Sequence, residues 1–137
     1  MNKMIVFMKR KAGISVEAFI EHYENVHIPL NEKWIGRFMS DFIRVYPGEL
    51  QNFLRGAERD VPREPAGCDY DAISIYTIRD EQALNELFQV AQDPEYQRLL
   101  SEDEEKFADR TAGRYGLGKF FSGPGLNGTR PNGNRPR

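Results

Sequence analysis

The sequence is short of the residue types that most often announce a site: one cysteine, Cys68, two histidines, His22 and His27, and one tryptophan, Trp34. A lone cysteine forms no internal disulfide and no multi-thiolate metal site, which points to a reducing, cytosolic setting. Two imidazoles would need a supplement of carboxylates to hold a metal ion, so no metal is expected. Long apolar runs are missing too. The longest, Met4 to Met8, has five residues, against about 20 for a membrane span and about 7–15 for a signal-peptide core. The chain thus reads as a soluble, unexported, cytoplasmic protein with no membrane partner. Nor is positive charge in excess. With 19 basic and 21 acidic residues the net charge is -2, unlike the clustered basic surfaces that bind phosphate backbones, and nucleic acid is not expected as a partner. Gly113, Gly116 and Gly118 do not follow the dinucleotide-binding spacing, so no nicotinamide site is read there.

What remains suits one domain. The chain has 137 residues, of which 39% are hydrophobic and 12% aromatic, enough to bury a core. Residues 122–137 are set apart by four of the 12 glycines, three of the 8 prolines and three arginines without an acid. They read as a disordered basic tail behind a folded unit at 1–121. The Asn127-Gly128-Thr129 sequon in that tail carries no weight without a secretion signal.

Hydrophobic periodicity orders the rest. Residues 3–9 (KMIVFMK) make a mostly buried strand. Ser15 caps a helix on which Val16, Phe19, Ile20, Tyr23, Val26 and His27 recur at three- and four-residue steps, and Pro29 is expected to end it. A short helical piece carries Trp34, Ile35 and Phe38, and residues 42–46 (FIRVY) form the next strand. Residues 49–69, with two prolines and two glycines, are long for a connection and read as a lid or flap. Residues 70–78 (YDAISIYTI) form a strand with Ile73 and Ile75 on one face and Ala72, Ser74 and Tyr76 on the other.

Asp80 then caps a helix striped by Ala83, Leu84, Leu87, Phe88 and Ala91. Asp93-Pro94 starts another, running through Tyr96, Leu99, Leu100, Asp103 and Phe107. Residues 114–121 make a last, glycine-rich strand. The order βαββαβ predicts an α+β fold, a four-stranded antiparallel sheet with helices on one face. The bare second face would be buried against a second copy, making a homodimer.

The chemistry-bearing residues are few. His27 lies on the apolar face at the end of its helix, whereas His22 is expected in solvent. On the residues alone, a histidine at a core edge is more often a packed side chain than a catalyst. Asp109 reads as a helix-end or turn residue paired with Arg110, Asp71 as structural, and the acidic run at 102–106 as a solvated helix face. Cys68 has no adjacent base that would make it a nucleophile.

Four segments, in order, resemble the EthD domain: FMKRKAGISVEAFIEHYENVHIPL at 7–30, YDAI at 70–73, DPEY at 93–96 and DEEKFAD at 103–109. The later pieces are similar to the fungal subgroup that decarboxylates aromatic polyketide acids. Together they span most of residues 3–121. The connection at 49–69 and the basic tail depart from the family pattern.

The resemblance implies a ferredoxin-like fold paired into a dimeric α+β barrel, with no metal or organic cofactor. It implies that His27, matching the family's helix-ending histidine, and Asp109, matching the end of its Phe-x-Asp element, are catalytic. An imidazole titrating near ~6.5 can shuttle the proton that decarboxylation or dehydration of a β-keto compound needs. Tyr23, Trp34, Tyr46 and Tyr76 are the rings placed to line a cavity for a flat aromatic substrate. The function implied is a cofactor-independent lyase acting on an aromatic polyketide-type intermediate. A polyketide cyclase, a cofactor-free oxygenase or a non-catalytic accessory protein are the alternatives.

Overall fold

Strict alternation along one strand decides which side of the sheet is the inside. Ala72, Ser74, Tyr76 and Ile78 are buried, whereas Ile73, Ile75 and Thr77 between them are only half covered. The computed structural model describes residues 2–50, 53, 55–57 and 68–121. The basic tail at 122–137 and most of the connection at 49–69 lie outside the described residues.

Four strands form one antiparallel sheet: β1 (Asn2–Met8), β2 (Met39–Val45), β3 (Ala72–Ile78) and β4 (Arg114–Lys119), in the order β2-β3-β1-β4. This matches the expected α+β architecture. Helices α1 (Val16–His22), α2 (Ile28–Ile35), α3 (Glu81–Ala91) and α4 (Pro94–Phe107) all lie on the Ala72 side. The helix starts follow from short polar side chains. Ser15 Oγ accepts from the Ala18 amide at 3.0 Å, Asp80 from Ala83 at 2.7 Å, and Asp93 from Glu95 at 2.8 Å, each satisfying an amide with no partner inside its helix. Phe88 and Ala91 stand exposed at the margin of the α3 stripe.

Pro29 does not end the first helix. Residues Tyr23–His27 form a π-helical turn in which the Ile28 amide donates to the Tyr23 carbonyl five residues back, and α2 continues with Pro29 in its first turn. A proline lacks the N–H and crowds the carbonyl four residues behind it. Widening the turn just ahead of the ring absorbs both problems without breaking the rod. The inserted residue also shifts the inward face, so the consecutive residues His27 and Ile28 are both buried.

The core has two parts. One gathers Met8, Phe19, Tyr23, Ile28, Ala72 and Phe107, and the other Ile35, Phe38, Tyr76, Ile78, Leu87 and Tyr96. Asp71 is structural, accepting from the Arg10 amide at 2.8 Å where β1 ends.

None of the described helices lies on the opposite face of the sheet. Ile5, Ile75 and Ile43 stand in register across three strands, with Phe7, Ile73 and Val45 in the next row. Ile43 is 48% and Val45 54% exposed. At the β4 edge a Cβ on Gly118 would come within 2.9 Å of Ile5 Cδ1, so glycine there lets Ile5 lie flat across the face.

Candidate active site

Two histidines meet one acid where the first helix crosses α4. His22 Nε2 lies 2.9 Å from Asp103 Oδ1, and His27 Nδ1 lies 2.9 Å from Asp103 Oδ2. The Asp103 and His27 side chains are only 6% and 7% exposed, and His22 is 23% exposed. In a straight α-helix, residues five apart point about 140° away from each other. The π turn between them removes that divergence, and both rings reach the same carboxylate. A carboxylate offers only acceptors, so His27 Nδ1 is the donor, and in the neutral ring the lone pair lies on Nε2. Nδ1 is the only His27 nitrogen with a partner among the described residues. Phe107 lies against both imidazoles, at 4.5 Å from His22 and 5.0 Å from His27, and Tyr23 stacks on His27 at 5.8 Å.

A second polar chain runs through the core between helices and sheet. The Tyr23 and Ser74 hydroxyls are 2.7 Å apart. Asn31 sits between two phenols: Tyr96 donates to its Oδ1 at 2.5 Å, and its Nδ2 points at the Tyr76 oxygen at 3.5 Å. Burial is the main reason these phenols resist ionisation. It raises Tyr23, raises Tyr76 well above the ordinary range and pushes Tyr96 up to about 12. Asn31 and Tyr76 also face a cavity of about 440 Å³ between α2 and β2, walled by Ile28, Ile35, Met39 and Phe42. The Phe42 ring lies parallel to that of Tyr76 at 4.1 Å.

Glu24, inside the π turn, is tied to β2. Arg44 grips its carboxylate through Nε at 2.6 Å and a terminal nitrogen at 2.5 Å, and the Tyr46 hydroxyl donates at 2.7 Å. The Arg44 fork holds the Glu24 carboxyl below its usual range. Burial, then the bonded Glu24, raises Tyr46.

Of the residues singled out in the sequence, the structure joins His27 to Tyr23 by ring stacking and puts Tyr76 at the cavity. Trp34 packs on Tyr96 at 5.5 Å, and Tyr46 belongs to the Glu24 clamp. Asp109 accepts from the Thr111 amide at 3.0 Å and hydroxyl at 2.6 Å, in a turn, and Arg110 pairs with Glu104 and Glu105 rather than with it. Two further expectations are corrected. His22 is held by Asp103 instead of standing free, and the acidic run at 102–106 is not wholly solvated, because Asp103 points inward. The signal for Asp103 was an acid four residues from both Leu99 and Phe107, on the apolar side of its own helix. Asn31, one turn beyond His27, had no such signal.

The sequence profile of the EthD domain matches residues 11–111. The chain belongs to the EthD domain family. Among solved structures, the EthD domain here resembles an ethyl tert-butyl ether D (EthD) family protein from Bacillus halodurans, with a TM-score of 0.54 at 18% identity over 88% of this chain and 99% of that one. HapK from Hahella chejuensis matches at 0.47 and 15% identity over 90% and 97% of the two chains. A dimeric ferredoxin-like protein of unknown function from Bacteroides fragilis matches at 0.48 and 12% over 87% and 95%. No curated protein sequence matches the chain significantly. The fold of this EthD domain is ferredoxin-like. None of its described helices is long and apolar enough to cross a membrane.

Proposed function

We propose that this EthD-family protein is a cofactor-independent lyase that removes CO2 or water from an aromatic polyketide-type intermediate. The observation that carries the reading is the His27–Asp103 pair. A buried carboxylate fixes the tautomer and leaves an imidazole nitrogen free to take or give a proton, one helical turn before the cavity residue Asn31. For dehydration, Nε2 takes the proton beside a carbonyl, the electron pair forms the new double bond, and the β-hydroxyl leaves as water with the proton that the imidazolium gives back. For decarboxylation, the C–CO2 bond breaks with its electrons left on the enolate, and imidazolium returns the proton to carbon. The resemblance of residues 93–96 and 103–109 to fungal decarboxylases supports this substrate class, and Asp109 is carried over from it as a second catalytic candidate. Tyr23, Trp34 and Tyr46 are proposed to contribute through the aromatic packing around the site.

The working unit is proposed to be a homodimer. The row of Ile5, Ile43 and Ile75 is an apolar patch that a second copy of the same sheet would cover. Incubating the purified protein with an aromatic β-keto acid and, separately, a β-hydroxy aryl ketone tests the chemistry by product mass. Loss of CO2 or of water supports a lyase. Gain of oxygen means an oxygenase, and an unchanged mass with both compounds leaves an accessory or binding protein.

A further inference from the structure

We infer that the cavity between α2 and β2 receives its ligand through an uncharged oxygen, a ketone or phenol held by Asn31 and Tyr76, so that the ligand it favours is a neutral hydroxyaryl ketone rather than a carboxylate. This rests on the lyase reading and narrows it.

Three observations carry the inference. The first is the orientation of the Asn31 amide. Tyr96, a hydroxyl donor, takes up Oδ1 at 2.5 Å, which leaves the Nδ2 hydrogens on the Tyr76 side of a residue that lines the cavity. The bond from Nδ2 to Tyr76 is long, at 3.5 Å, close to where a hydrogen bond stops counting as one. An N–H donor is therefore held in place and weakly used. The second is Tyr76 itself, whose buried phenol stays protonated and shares a hydrogen bond with the Tyr23 hydroxyl; a hydroxyl rotates, so that proton can turn to an oxygen that enters the cavity. Two donors on one wall of the cavity suit a carbonyl oxygen.

The third is charge. The described lining includes the acidic residues Glu32 and Asp41 and no lysine, arginine or histidine. A carboxylate ligand would give up its hydration for two neutral donors and meet like charges with no counter-ion. A neutral ketone has no such penalty, and the walls of Ile35 and Phe42 suit its aromatic body.

The test compares resacetophenone, a neutral dihydroxyaryl ketone, with β-resorcylate, the matched carboxylate, by calorimetry and by fluorescence of Trp34, which packs on the Asn31-bonded Tyr96. The ketone should bind at least about tenfold more tightly at neutral pH. Asn31→Leu and Tyr76→Phe should each weaken it about tenfold, and Asp41→Asn should narrow the gap between the two ligands. Because Asn31→Leu also removes a partner of Tyr96, the Asn31 side-chain amide resonances of the unmutated protein give an independent reading: they should shift as the ketone is titrated. Equal or tighter binding of the carboxylate, or Asn31 resonances that do not move, would overturn the assignment. Binding is read without turnover, so the two ideas fail separately. A ketone that binds through Asn31 but is never converted removes the lyase reading alone, whereas CO2 loss from β-keto acids with no effect of Asn31→Leu removes the cavity assignment alone.

Discussion

His22 and His27 hold the two oxygens of Asp103 at the same distance, 2.9 Å each, from one continuous helical rod. The arrangement uses a single buried carboxylate to orient two imidazoles of unequal exposure. The buried ring, His27, is the one stacked on Tyr23, whose hydroxyl bonds β3 through Ser74. The outer ring, His22, closes the carboxylate from the solvent side against Phe107. A π turn is what makes the shared grip possible, and its Glu24 is fastened to β2 by Arg44. The position of the acid–base pair thus depends on a contact between helix and sheet as well as on the helix itself.

The carboxylate that matters to His27 should be Asp103. Asp103→Asn keeps the size but cannot accept from both rings as a carboxylate does, so turnover should fall about 10²-fold and stability by about 1–3 kcal/mol. Asp109→Asn disturbs only the turn to Thr111 and should leave turnover in place. Steady-state kinetics and denaturation of both variants check this. The reverse ranking would restore the role that the family resemblance implies for Asp109.

His27→Gln should lower kcat by about 10²–10⁴-fold with the fold retained, because glutamine can bond Asp103 but cannot shuttle a proton near neutrality. His22→Gln should cost much less, since it leaves the His27–Asp103 bond in place. A kcat unchanged in the His27 variant, with only KM raised, would make His27 a binding residue.

Ile75→Glu should convert the protein to monomer. Ile75 is flanked on the open sheet face by Ile5 and Ile43, and a glutamate there would place two charges at the centre of an interface expected to exceed about 1,000 Å². Sedimentation at micromolar concentration reads the outcome. A wild-type monomer would remove the barrel arrangement.

Alkaline pH should destabilise the fold through its buried phenols. Tyr96 is pushed from 10.0 up to about 12, and Tyr23 and Tyr76 are also raised, in each case chiefly by burial. A group whose folded pKa lies above its unfolded one contributes stability that is whole below the unfolded value and lost as pH rises through the folded one. Chemical denaturation should therefore give falling stability from about pH 10 upward. Tyrosinate absorbance of the native protein should lag behind that of the unfolded chain, and superimposable curves would contradict the buried phenol chain.

Local chemistry decided much of this protein before any tertiary contact formed. The period-two pattern of residues 70–78 assigned the two faces of β3 correctly, because strand side chains alternate whatever they pack against. Ser15, Asp80 and Asp93 marked helix starts, because capping needs only a short polar side chain and the next few amides. The sequence of residues 11–111 is by itself enough to place the chain in the EthD family.

The candidate site belonged to the tertiary structure. His22 looked solvated and Asp103 looked like one more acid on a charged helix, because the helical period that sorts faces assumes an unbroken turn of ~3.6 residues. The π turn at Tyr23–His27 violates that assumption, and Pro29, a stop signal by local rules, proved compatible with a continuing rod once the turn widened. Asn31 became visible only when Tyr96 from α4 and Tyr76 from β3 closed on its amide from positions 65 and 45 residues away. Hydrogen bonds at such separations leave no period in a sequence, since the packing of helices against the sheet alone determines which side chains meet.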